Sequence, residues 1–375
     1  MKIVHLITSL KIGGAESFLV YLLEKMINDG NEHIVIYFYD GPNVEKIKKL
    51  GFKVFKVSGR FKLYDPWFYF RLKNLIKKLK PDLIHSSLWS ANIFGRVIAK
   101  KLNISIVCDL HNDPKFNGKI RNLLESATIK IPKKFIAVSG FVGKTFQSYY
   151  PSQKDKITVI PNGIDYKNLH GKVKQNRLQK RDLGFGQNDF VIGSIGRLEP
   201  IKSFDVLIKV FALLVNPPQA VCVNNIKLCI VGDGTEKEKL IQLTKDLQID
   251  DKVFFVGQRS DAYCFYEIFD CFAMSSQTEG LSISLLEALC FGLPVITTHQ
   301  NLKHEVISDG KHGFLIPNKD FNLFAKRLRQ LYENPELRNN IRENNLNLIK
   351  NNFDISNAVV KYQNVYKTYG LKSLG

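Results

Sequence analysis

The chain has 375 residues, 45% of them hydrophobic, and its 54 Lys+Arg against 35 Asp+Glu give a formal charge of +19. Such a length fills more than one core, so two domains are expected, and no run approaches the roughly 18 uninterrupted apolar residues that read as a membrane span. Six cysteines without a CxxC pair argue against a zinc site or a disulfide framework and read as buried free thiols.

The opening "MKIVHLITSLKIGGAE" runs straight into a strand pattern rather than a signal-peptide apolar region, and the chain reads as cytoplasmic. Charge is uneven: residues 1–165 hold 27 Lys+Arg against 13 Asp+Glu, giving +14, and residues 166–375 hold 27 against 22, giving +5. The basic half suits anionic ligands such as phosphates or anionic lipid, or is a solvated lysine-rich surface. No helix-turn-helix, zinc-finger or RNP pattern accompanies it, so nucleic acid is not an expected partner.

Short apolar runs alternate with helical-period segments. "KIVHLI", "HIVIYFY", "DLIH", "ISIVCDL", "KFIAVS" and "ITVIPN" read as buried strands of a first half, and "VIGSIGRL", "KLCIVG", "KVFFVG", "CFAMSS" and "PVITT" as those of a second. The pattern predicts an α/β protein with two Rossmann-like domains of parallel sheet facing across a cleft, with ligands held in loops after strands. The polar stretch from Ile164 to Asp189 reads as the hinge, and the expected domains are 1–170 and 171–353. The last segment, 354–375, has Ile355, Val359, Tyr362, Tyr366 and Tyr369 at helical spacing.

Four stretches carry chemistry. Gly13 and Gly14 precede a helix with Glu16 in its first turn and a buried face of Leu19, Leu22, Leu23 and Met26, ending near Gly30; a tight turn explains the glycines equally well. The chain has no GxGxxG, and "VSGFVGKT" lacks the first glycine of a phosphate loop, which leaves Ser139 as a plain helix cap. Arg197 and Lys202 leave a strand close enough in sequence to meet one anion. In "SSQTEGLSISLLEALCFG" a loop carries Glu279, and a helix closed by Gly292 places the backbone N–H groups of Gly280, Leu281 and Ser282 at its N-terminus. Glu287, among Leu285, Leu286, Ala288 and Leu289, needs a partner.

In "DPWFYFRLKNLIKKLK" Asp65 caps a helix with Pro66 in its first turn, and Phe68, Leu72, Leu75, Ile76 and Leu79 form its core stripe. Trp67, Phe70, Lys77 and Lys78 lie off that stripe and suit either an anionic membrane surface or solvent.

In order along the chain, "GGAE", "DLHND", "VIPNGID", "GRLEPIKSF", "IVGDGTEKEKL", "VFFVG", "EGLSISLLEALCFGLPVITT" and "SDGKHGFLIP" resemble the motifs of glycosyltransferase family 4, retaining enzymes of the GT-B fold. The resemblance implies a first domain for the acceptor, a second for a nucleotide sugar, with a UDP-sugar favoured, and a C-terminal helix crossing back to the first domain. It makes Arg197 and Lys202 the holders of the donor diphosphate and Glu287 the ribose ligand. Glu279, with the backbone of Gly280 to Ser282, would take the transferred sugar and phosphate, and Gly14 would approach the phosphate. His111 would be the active-site histidine, while His5 and His85 read as structural.

The implied work is surface-polysaccharide or lipooligosaccharide synthesis on a glycan or lipid-linked acceptor, peripheral to the inner face of the cytoplasmic membrane. No DxD triplet occurs, so no metal and no other cofactor is expected. A GT-B nucleotide-sugar 2-epimerase and a catalytically silent sugar-nucleotide-binding protein are the alternatives.

Overall fold

Ile3, Val4, Leu6 and Ile7 leave the first strand apolar on both faces, which a parallel strand covered by helices on each side requires. The structure, a computed structural model, describes residues 1–59, 65–116, 118–216, 225–298, 305–317 and 320–370. Cys222 and the start of the "RFKLYDP" segment lie outside the described residues. The chain divides into two compact units, Met1–Gly163 with Ile355–Gly375, and Ile164–Asp354.

The first unit runs β1 (Lys2–Ser9), α1 (Gly14–Lys25), β2 (Glu32–Tyr39), α2 (Asn43–Lys49), β3 (Lys53–Lys56), α3 (Pro66–Leu79) and β4 (Leu83–Ser87). It continues through α4 (Trp89–Leu102), β5 (Ser105–Leu110), α5 (Lys119–Thr128), β6 (Lys134–Ala137), α6 (Gly140–Tyr149) and β7 (Ile157–Val159). Its seven strands pair in parallel in the order β3-β2-β1-β4-β5-β6-β7. The second unit runs α7 (Tyr166–Gln175), β8 (Phe190–Ile195), α8 (Phe204–Val215), β9 (Ile226–Val231), α9 (Lys237–Asp246), β10 (Val253–Gly257) and β11 (Cys271–Met274). Then come α10 (Ile283–Cys290), β12 (Val295–Thr297), β13 (Gly313–Leu315), α11 (Phe321–Glu333) and α12 (Pro335–Asn352), and its six strands pair in parallel in the order β10-β9-β8-β11-β12-β13. The chain closes with α13 (Ile355–Gly370), which belongs to the first unit.

Sequence reading missed β3 and β13, each at one edge of its sheet. In β3, "KVFK" sets two apolar residues between lysines and none of the four is fully buried, which is weak patterning for a strand. The segment read as a hinge is instead part of the second unit. Asp165 accepts a hydrogen bond from the Asn168 backbone to cap α7, which buries Leu169 and Val173, and Ile164 pairs with Asp354, so the units divide at Gly163 rather than after residue 170.

α1 stops at Lys25, short of Gly30, with Met26 as its C-cap and Leu19, Leu22, Leu23 and Met26 buried as expected. On α3 the Asp65 carboxylate accepts from the Trp67 backbone, and Phe68, Leu72 and Ile76 are buried at intervals of four. Five of the cysteines are buried free thiols. Helix α13 buries Ile355, Ala358, Val359, Tyr362 and Tyr366, and each large aliphatic side chain so buried contributes about 1.5–3 kcal/mol.

Candidate active site

In the second unit, the turn after β8 and the loop after β11 bring two expected residues together. The Lys202 ammonium donates to Glu279 Oε1, and Ser276 Oγ donates to the same oxygen at 2.8 Å. Glu279 Oε2 has no partner among the described residues. Lys202 is held because Ser275 Oγ donates to the carbonyls of Lys202, at 3.2 Å, and Ser203, at 2.7 Å. These groups, with Ser194, Gly196 and Ser284, line a shallow, solvent-open concavity. Its wall is polar and carries one ammonium.

The loop that carries Arg197 and Lys202 is fixed by its neighbour after β9. Gly196 N–H donates to Val231 O, Leu198 N–H to Asp233 O, and Glu236 N–H to Leu198 O, all within 3.1 Å. The backbones approach so closely that a Cβ on Gly232, where φ is +152°, would meet Gly196 O at 1.9 Å. The Thr235 hydroxyl also donates to Glu199 at 2.9 Å. Arg197 itself is exposed and makes no side-chain hydrogen bond or ion pair among the described residues, so its guanidinium is unengaged there.

α10 begins at Ile283, two residues later than the expected Leu281. Ser282 is its N-cap, accepting from Leu285 N–H, while Gly280 and Leu281 precede the helix and are buried. The first intrahelical bond is Leu286 N–H to Ser282 O, so the N–H groups at the helix start are those of Ser282 to Leu285, and of the three expected donors Ser282 is among them while Gly280 and Leu281 precede it. Gly292 closes the helix at φ +73°, as read. Glu287 finds its partner in Tyr266, whose hydroxyl lies 3.0 Å from Glu287 Oε2 and 3.0 Å from Ser284 O. Sequence reading missed Tyr266 because it sits in a short 3₁₀ turn, Ala262–Glu267, without a periodic signal. Neither Arg197 nor Glu287 lines the concavity around Lys202 and Glu279.

In the first unit, His111 directly follows β5. Its Nε2 is buried without a hydrogen bond and lies 3.7 Å from Asp109 Oδ2. Burial lowers the His111 pKa, while the charges of Asp109 and Glu16 pull it back up. Glu16 accepts from Ser9 Oγ at 2.5 Å, and a Cβ on Gly13, the N-cap of α1, would strike Glu16 Oε2 at 2.4 Å. A side chain at 13 would displace the Glu16 carboxylate from that position, and Gly14 opens the helix. Asp109 is also fully enclosed, with Ser87 Oγ donating to its Oδ2 at 2.6 Å and the Tyr362 hydroxyl to its Oδ1 at 3.1 Å. Burial pushes its pKa up, yet His85, His111 and Ser87 more than offset that, and it falls below the ordinary carboxylate value. Sequence reading missed Asp109 and the Tyr362 hydroxyl; they were read as strand and stripe positions.

On α3, Trp67 is 68% exposed and Phe70 48%, and Lys77 and Lys78 are exposed on the same helix. No helix among the described residues is long and apolar enough to cross a membrane.

Comparison with known proteins gives these sites a context. Residues 12–168 match the family model described as Glycosyltransferase Family 4, and residues 175–347 match that of glycosyl transferases group 1. The UDP-Gal:alpha-D-GlcNAc-diphosphoundecaprenol alpha-1,3-galactosyltransferase of Escherichia coli is 26% identical over 306 residues, 79% of this chain and 77% of its own. N-acetyl-alpha-D-glucosaminyl L-malate synthase of Bacillus anthracis is 26% identical over 315 residues, 81% of this chain and 79% of its own. Among solved structures, Anabaena HepE in complex with UDP and glucose superposes with a TM-score of 0.86 at 22% identity, covering 98% of this chain and 100% of the other. WaaG, a glycosyltransferase involved in lipopolysaccharide biosynthesis, superposes at 0.74 with 16% identity, covering 97% and 99%.

Proposed function

This chain belongs to glycosyltransferase family 4 and has the GT-B fold, and from that premise we propose that it is a retaining enzyme that moves a sugar from a UDP-sugar to a lipid-linked glycan in bacterial surface-polysaccharide synthesis. The observation that carries the reading is the Lys202–Glu279 pair in a serine-lined concavity beside the start of α10. Breaking a glycosyl phosphate leaves a negative diphosphate and an oxocarbenium-like sugar. An ammonium, a free guanidinium on the same loop and a helix N-terminus are the groups that stabilise the first. Glu279 Oε2 accepts from a sugar hydroxyl, and Glu287 from the ribose.

In this reading Arg197 and Lys202 supply the positive charge that a carboxylate-bound metal supplies elsewhere, so transfer needs no metal ion. The leaving phosphate takes the acceptor proton on the same face, which retains configuration without a protein nucleophile. The resemblance makes His111, in the first unit, the active-site histidine. The first unit takes the acceptor, and the exposed Trp67, Phe70, Lys77 and Lys78 of α3 rest on an anionic membrane surface at the inner face of the cytoplasmic membrane. The UDP reading draws on HepE, found with UDP and glucose, and the lipid-linked acceptor on the diphosphoundecaprenol galactosyltransferase.

The test is thermal unfolding of the purified protein with UDP, GDP and ADP in turn, then transfer assays with the sugars of whichever base binds, with and without EDTA. A ligand at a hundred times its dissociation constant adds about 2.7 kcal/mol, which moves a midpoint by several degrees. An α-linked product from an α-linked donor supports the retaining route. An epimerised nucleotide sugar formed without acceptor, or loss of transfer in EDTA, overturns the corresponding part.

A further inference from the structure

Helix α5 is built inside out. Glu125 and Thr128 turn inward and are buried, while Ile120 and Leu123 are 76% and 70% exposed, with Leu124 beside them at 39%. At about 100° per residue, Ile120, Leu123, Leu124 and Ala127 occupy one continuous arc of the helix, and Asn122, Glu125 and Thr128 the opposite one. A helix that faces water carries the reverse pattern.

An ion pair beneath the helix holds the apolar arc outward. Arg96, fully buried on α4, donates to Glu125 Oε1 at 2.5 Å and to Thr128 Oγ1 at 3.4 Å, and its guanidinium lies 5.2 Å over the Phe135 ring. Rolling α5 to hide Ile120 and Leu123 would leave that buried guanidinium without its carboxylate, so the arc stays out.

The surrounding charge selects what covers it. Residues 114–134 hold six cations, Lys115, Lys119, Arg121, Lys130, Lys133 and Lys134, against one acid, Glu125, which Arg96 already occupies. Arg121 is exposed, and its guanidinium lies 5.1 Å over the Trp89 ring. A second copy of this chain would bring like charges together on this face. An occupant with an anionic head and an apolar chain suits both features. The link from His111 to α5 is short and pinned, with Asp113 accepting from Lys115 N–H at 2.8 Å across the Pro114–Phe116 turn. We propose that the outer face of α5 seats a lipid diphosphate, the lipid part of the acceptor, with Lys119 and Arg121 on its diphosphate and Ile120, Leu123 and Leu124 along its chain. This rests on the lipid-linked acceptor of the proposed function, and gives that acceptor a seat on the helix that follows the His111 loop.

Trp67→Phe leaves Trp89 as the sole tryptophan of the full-length chain, next to Arg121, and its fluorescence is titrated with farnesyl diphosphate, with inorganic pyrophosphate and with phosphatidylglycerol vesicles. Each buried methylene adds about fourfold in affinity, so farnesyl diphosphate should bind at least about tenfold tighter than pyrophosphate. Ile120→Ser with Leu123→Ser, at exposed positions that leave the thermal midpoint in place, should remove that difference, and Arg121→Gln should weaken both anions. Lys202→Ala should bind farnesyl diphosphate as its parent does; a loss there would put the ligand at the second unit's ammonium and overturn the proposal. Farnesyl diphosphate that binds no tighter than pyrophosphate overturns it too. So does a serine pair that loses vesicles but keeps farnesyl diphosphate, which marks a membrane contact instead. A protein that binds farnesyl diphosphate through α5 but no nucleotide sinks the proposed function alone.

Discussion

The hydroxyl of Tyr362 donates to Asp109, a carboxylate 253 positions earlier in the chain, and one turn further on Tyr366 reaches His85. Two aromatic side chains on one helix face thus finish a polar cluster whose other members sit on the sheet. Burial and the Asp109 charge push both phenol pKa values far above the ordinary one, so the hydroxyls stay protonated donors or acceptors throughout the physiological range.

Tyr362→Phe deletes one hydrogen bond to a buried carboxylate and should cost about 1.5–3 kcal/mol of stability, read as a lower urea midpoint. Tyr366→Phe should cost about 1 kcal/mol. In the double variant the two costs should fail to add, because both hydroxyls end on one network; strict additivity would mean two independent contacts.

Lys202→Ala should lower transfer at least about 100-fold, with most of the loss in kcat, if its ammonium meets charge that develops on the diphosphate. Lys202→Ala with kcat unchanged and only KM raised would place Lys202 in ground-state binding alone. Glu279→Gln keeps the shape but removes the charge that holds Lys202, and should show a smaller loss than Lys202→Ala.

Glu287→Ala should weaken the selected nucleoside diphosphate by about tenfold or more while leaving the free midpoint within about 1 kcal/mol. Tyr266→Phe, which removes a hydroxyl beside Glu287 Oε2, should weaken the same ligand by a smaller factor. Isothermal titration of the two variants decides the order.

Acid should destabilise the first unit more than the second, in which, among the described residues, His312 alone has a histidine pKa lowered by burial. His5, His33 and His111 all have lowered pKa values in the fold, burial being the first cause, whereas in the unfolded chain they titrate near 6.5. Below that pH the unfolded state binds more protons than the folded one, so stability is held above about pH 6.5 and falls as pH drops below it. Each such ring contributes a slope of up to about 1.4 kcal/mol per pH unit. Urea midpoints at pH 7.5, 6.5 and 5.5 measure it; a midpoint that stays level or climbs toward pH 5.5 contradicts the assignment.

Anionic vesicles of phosphatidylglycerol should sediment the protein at low salt and release it as ionic strength rises. Trp67→Ala with Phe70→Ala should abolish what remains at high salt, and Lys77→Ala with Lys78→Ala should weaken low-salt binding by about 1 kcal/mol per lysine. Equal binding by the wild type and both pairs would remove α3 from any membrane role.

Most strand positions were legible because Val, Ile and Leu runs such as "HIVIYFY" and "KLCIVG" have to be buried on both faces. β3 was not, since its two apolar residues stand between lysines, and β13 was not, since three residues are too few to show a period. Capping residues were readable at Asp65 and Ser139, where a side-chain oxygen meets an N–H a few residues on. At α10 the residue type was readable but the start was not, because Leu281, Ser282 and Ile283 all suit either side of a cap. Lys202 and Glu279 were legible as separate motif residues; that they touch was not. That His33, His5 and His85 stand in a row was hidden for the same reason. Each histidine looks like a core position in its own strand, and only strand order places them side by side.

The helix that supplies Tyr362 and Tyr366 is separated in sequence from the rest of its unit by the whole of the second unit. Until residues beyond 354 are made, Asp109 and His85 lack two of their partners and the apolar seat of Ile355, Ala358 and Val359 stands empty, so the first unit is not finished before the second has been synthesised.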